Sequence, residues 1–92
     1  MSYEEWHAAK DIEVGYYYLQ DKNYRAAESR LQEALELKPD SAPALVGLAQ
    51  AQQKLGKNED ARRDYEAYLK LEPNGPDAEK AKKALAQLGK AP

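Results

Sequence analysis

Leu35-Glu36-Leu37-Lys38-Pro39-Asp40 and Leu69-Lys70-Leu71-Glu72-Pro73-Asn74 are one phrase written twice, 34 residues apart. A period of that length marks a chain built from stacked supersecondary units. Shifted by 34, the window from Ala8 to Ser41 agrees with its successor at five positions: Ala8/Ala42, Ala27/Ala61, Leu35/Leu69, Leu37/Leu71 and Pro39/Pro73. Ile12/Val46, Val14/Leu48 and Gly15/Ala49 add similar residues. The matches fall on small, apolar and turn positions, where a repeated packing unit is most constrained.

Around the repeated phrase, the punctuation marks five helices. Ser2 and Glu5 have capping-box spacing, which starts a helix at Tyr3 that runs to Gln20. The polar turn Asp21-Lys22-Asn23 leads into a helix over Tyr24–Lys38, with Tyr24, Ala27, Leu31, Ala34 and Leu35 on its apolar stripe. Pro39 stops it. Asp40 or Ser41 caps the third helix, Pro43 is tolerated in its first turn, and Leu55 ends it before a left-handed Gly56. Asn58 is the expected cap of the fourth, which runs to Pro73 with Ala61, Tyr65, Tyr68 and Leu69 on its stripe. Asn74-Gly75 turns the chain, and Pro76 is expected to open a fifth helix ending at Leu88-Gly89. No useful stretch alternates as a strand does, so the fold class is all-α.

These features resemble the tetratricopeptide repeat family, whose pattern the first unit carries as Asp11, Val14, Gly15, Tyr18, Ala27, Leu31 and Pro39. The second unit carries it as Leu45, Leu48, Ala49, Gln52, Ala61, Tyr65 and Pro73. Asp11 departs from a large apolar residue, Gln52 from a tyrosine, and Tyr68 from a small residue such as Ala34. The resemblance covers about residues 8–74 and implies antiparallel helix pairs stacked as a short right-handed superhelix. Its first helices would line a concave surface that binds another protein.

The expected organisation is one domain: an N-terminal helix extension over 1–7, repeats over 8–41 and 42–75, a capping helix over 76–89 and a tail over 90–92. The capping assignment comes from the fifth helix's narrow stripe of Ala78, Ala81, Leu85 and Leu88, opposite a charged face. Residues 11–27 are also similar to the opening repeats of bacterial outer-membrane assembly lipoproteins, periplasmic scaffolds for other proteins. That likeness points to a bacterial origin, although the lipoprotein's cysteine and signal are missing here.

Spacing alone selects the candidate groove. Side chains of the first helices outside the pairing stripe recur as Ala9, Ile12, Tyr16 and Leu19, then Pro43, Val46, Gln50 and Gln53; the fifth helix adds Asp77, Lys80, Ala84 and Gln87. Glu13, Gln20 and Lys54 would supply rim hydrogen bonds. Such a surface, apolar at one end and amide-rich in the middle, suits a partner peptide or helix with apolar anchors. The competing reading buries Ile12, Tyr16 and Leu19 inside the domain. Helical residues 100° apart send Tyr16, Tyr17 and Tyr18 in different directions, Tyr16 to the groove and Tyr18 to the repeat core. Tyr3, Trp6 and Tyr17 have two readings: Trp6 lies over the open end of the stack, or the three are buried in a homodimer. Two repeats are fewer than a stack usually needs, which gives self-association, or a place as a spacer in a longer chain, a physical motive.

Composition narrows the remaining classes. Ninety-two residues, 33% of them charged, make one small domain. Fourteen basic against sixteen acidic residues leave a net charge of −2, without the basic excess that nucleic acid or a membrane surface attracts. The longest uncharged stretch, Ser41–Gln53, is too short to insert in a membrane. With no signal in the chain, the compartment is left open between the cytoplasm and, for a piece of a longer protein, the periplasm. Cysteine is absent, and Glu4, Glu5, His7 and Asp11 spell no tetrahedral ligand set, so no cofactor or metal is expected. His7 and Asp11 stand at i, i+4, but a solvated pair outweighs a catalytic dyad where no nucleophile is in reach. Lys80, Lys82 and Lys83 read as the wet face of the cap, with anion binding as the alternative. A clamp for the C-terminal carboxylate of chaperones is rejected, because its places hold Ile12, Tyr16, Gly47, Asp77 and Ala81.

Overall fold

The computed structural model describes residues 1–89; the expected tail over 90–92 lies outside them. The described residues form five helices: α1 (Tyr3–Gln20), α2 (Tyr24–Leu37), α3 (Ala42–Lys54), α4 (Asn58–Leu71) and α5 (Ala78–Leu88). Each packs on its sequence neighbour, and α1 also touches α3. The result is an elongated slab of 43 × 27 × 18 Å, as stacked hairpins require.

Local chemistry sets the helix ends. Ser2 Oγ accepts from the Glu5 amide at 3.1 Å, Asn23 Oδ1 from Ala26 at 3.3 Å, and Ser41 Oγ from Ala44 at 3.3 Å. Ser41, not Asp40, is thus the third cap. The fourth helix departs from expectation: Asn58 is its first residue, and Lys57 occupies the cap position with no side-chain cap bond. Lys57 stands 34 residues after the capping Asn23, and its ammonium crosses to Glu28 of α2 at 2.9 Å instead. The fifth helix also begins later than Pro76. The Ala78 amide bonds the Gly75 carbonyl at 3.1 Å, so Pro76 and Asp77 belong to a turn, and α5 starts beyond it.

Two apolar clusters form the core. Ala27, Leu31, Leu48 and Ala51 join the first hairpin to α3, with Ile12, Tyr16, Tyr18 and Leu19 packed at the margin. Leu45, Val46, Ala49, Ala61, Tyr65 and Tyr68 join the second hairpin to Ala78, Ala81 and Ala84 of α5. Small residues let the helices approach: a Cβ on Gly15 would lie 2.6 Å from Leu31 Cγ. Tyr68, at a position where the first unit has Ala34, is fully buried, and its hydroxyl accepts the Asp77 amide at 2.9 Å. The larger side chain therefore seats the start of α5. Asp11, another buried polar residue, is paired with Arg30 of α2 at 3.3 Å.

Candidate functional site

Of the residues chosen by spacing, Leu19, Gln50, Gln53, Lys80, Ala84 and Gln87 line one recess and Ala9, Ile12 and Pro43 a second, rather than a single groove. In the first, Leu19 of α1 faces Gln50, Gln53 and Lys54 of α3, while Lys80, Lys83, Ala84 and Gln87 of α5 close the far wall. Tyr24 and Tyr65 complete this recess, whose volume is about 440 Å³. In the second, Ala9 and Ile12 face Ser41, Ala42 and Pro43, with Leu71 and Glu72 at the end of α4, around about 470 Å³.

Tyr16 stands between them in the α1 register. Its hydroxyl donates to the Pro43 carbonyl at 2.7 Å, and a Cβ on Gly47 would come within 3.0 Å of its ring. Burial foremost, then the charge of Asp77 and the neighbouring Tyr68, pushes the Tyr16 phenol up to about 12. Tyr16 is consequently a strut tying α1 to α3, with only part of its ring open to solvent.

The other candidates divide by exposure. Ile12, Leu19, Gln50 and Gln53 are half-buried, whereas Ala9, Glu13, Gln20 and Lys54 are exposed. Glu13 pairs with Lys10 at 3.2 Å, and Gln20 borders neither recess. Val46 requires a correction. It is 0% exposed, enclosed with Tyr65, Tyr68 and the alanines of α5, and offers no surface to a partner. The fifth helix arrives on the side of α3 where Val46 projects, which periodicity within α3 alone does not reveal.

Tyr24, Tyr65 and Lys83 line the recess although the spacing series does not include them. Tyr65 is fully buried, yet its hydroxyl donates to Gln53 Oε1 at 2.8 Å and so fixes that amide at the recess. The signal was present in principle, because a core tyrosine must find an acceptor for its hydroxyl. Burial pushes the Tyr65 phenol up to about 12.

At the open edge of α1, Tyr3 is 75%, Trp6 54% and Tyr17 63% exposed. Trp6 keeps about half of its surface open to solvent. Its ring stands edge-on to His7 at 5.1 Å, and Tyr3 lies over His7 at 4.1 Å. With His7 between aromatic rings and Asp11 held by Arg30, the two form no dyad. Among the described residues, no three histidine or acidic side chains come together to hold a metal. On another flank, Gln32, Leu48, Gln52, Asp60, Arg63 and Asp64 surround a polar hollow of about 390 Å³. Burial raises the Asp64 carboxyl there, with the Gln52 amide and Arg63 opposing.

A row of helical hairpins stacked with one open face defines a helical repeat module. The sequence profile of the tetratricopeptide repeat family matches residues 14–86, and the chain belongs to that family. The family is a non-catalytic repeat module that generally mediates protein–protein interaction. No curated protein matches the chain, so the likeness to envelope lipoproteins gains no support there. Among the described residues, no helix is long and apolar enough to cross a membrane.

Proposed function

We propose that the recess between α1, α3 and α5 docks a peptide or short helix of a partner protein. One observation carries this reading: Leu19, Gln50 and Gln53, chosen by spacing, share a single recess with the rim residue Lys54 and side chains of α5. Leu19 and Ala84 offer apolar seats, while Gln50 and Gln87 have amides for a bound backbone. Gln53, oriented by Tyr65, keeps its amide N–H groups for the ligand. Relative to the sequence reading, Val46 leaves the contact set and Tyr16 becomes support. The test is selection of random twelve-residue peptides displayed on phage against the intact chain. Synthesised binders are then titrated against the chain carrying Leu19→Ala with Gln50→Ala. A loss of about tenfold or more is expected; unchanged affinity with the fold intact overturns this choice of face.

The exposed Tyr3, Trp6 and Tyr17 favour a second reading, in which α1 pairs with another copy of the chain. The same edge is where a preceding hairpin would stack if the domain served as a spacer. Sedimentation over a concentration series tests the pairing: association lost on Trp6→Ala supports it, and a strict monomer at high micromolar concentration excludes it.

A further inference from the structure

Charge in the recess narrows the class of partner. Although the chain is net acidic, Lys54, Lys80 and Lys83 all line this one recess, and no aspartate or glutamate does. Neither Lys54 nor Lys83 has a carboxylate within salt-bridge distance among the described residues. Lys80 has only Asp77 at 3.8 Å, one turn away and outside the recess lining. Lys82, the third lysine of the α5 run, pairs with Glu79 and lies outside the lining. The run is thus split by the helix: Lys80 and Lys83, three residues apart, share a face of α5 and meet Lys54 across the recess.

Three like charges around half-buried Leu19 and the apolar Ala84 repel one another until an anion arrives. From this arrangement we infer that the partner segment is acidic, with two or more carboxylates flanking an apolar side chain. The apolar residue sits on Leu19 and Ala84, and the carboxylates take Lys54 on one side and Lys80 with Lys83 on the other. Complementary charge of this kind steers encounter and rejects basic segments.

This inference rests on the docking reading, and the peptide selection separates the two. Peptides recovered on the chain should be enriched in aspartate and glutamate over the starting library, about twofold or more. The affinity of a synthesised binder should fall about tenfold on Lys54→Glu with Lys83→Glu, and steeply with salt, while Lys82→Glu changes it little. Binders that depend on Leu19 and Gln50 yet show no acidic bias overturn the charge inference and leave docking in place. Recovery of no peptide that depends on these residues overturns both. Circular dichroism of each variant confirms that the helices are retained.

Discussion

Lys22 and Gly56 occupy the same slot, 34 residues apart, and both are left-handed, with φ of 62° and 79°. Glycine accepts that conformation without strain, whereas a lysine there costs about 1–2 kcal/mol. Lys22→Gly is therefore expected to stabilise the fold by up to about 1 kcal/mol, read as a rise in thermal midpoint; a fall would show that the lysine side chain has a compensating role. Gln52 poses the opposite problem. Its Oε1 is buried without a partner, and the equivalent residue of the first unit is Tyr18. An orphaned buried acceptor costs about 1–3 kcal/mol. With the polar hollow beside it to admit a ring, Gln52→Tyr should gain about 1 kcal/mol in urea unfolding; a loss would mean that Asp64 needs the amide. The Gln52 departure was visible as a break in the repeat. The unpaired oxygen was not, since it depends on which side chains α2 and α4 bring up to Gln52.

At the scale of the helix, number and order were legible because prolines, glycines and polar caps mark nearly every boundary. The failures lie where one position serves a neighbour. Lys57 gives up capping for Glu28, and Pro76 is held in a turn whose end is bonded by Tyr68. Neither partnership is local in sequence. Tyr68 is accordingly the residue on which α5 depends. Tyr68→Ala should cost about 3–5 kcal/mol, and Tyr68→Phe, which removes only the hydroxyl bond, about 1 kcal/mol. Hydrogen exchange should show α5 opening first in the phenylalanine variant; uniform loss of protection over all five helices would place the effect elsewhere.

Over the whole molecule, the stacking direction decided which predicted groove residues reach solvent. Periodicity put Val46 and Gln50 in one series, yet the arrival of α5 buries the first and leaves the second at a recess. A stripe on a single helix cannot tell those outcomes apart, because burial belongs to the pair of elements. The same packing predicts an alkaline limit. Tyr16 and Tyr65 are raised from 10.0 to about 12 in the folded chain. Stability from their neutral forms is complete below about pH 10 and is lost as pH rises towards about 12, because the unfolded chain ionises first. Absorbance of tyrosinate should therefore show Tyr16 and Tyr65 titrating late, together with unfolding. Early titration of these two with the helices intact would contradict their burial.

Ligand entry between α1, α3 and α5 can be followed by amide chemical-shift mapping. Addition of a phage-selected peptide to the isotopically labelled chain should move Leu19, Gln50, Gln53, Lys54, Lys80, Lys83 and Ala84 together. Shifts confined to Tyr3, Trp6 and Tyr17, or to the outer faces of α2 and α4, would contradict it.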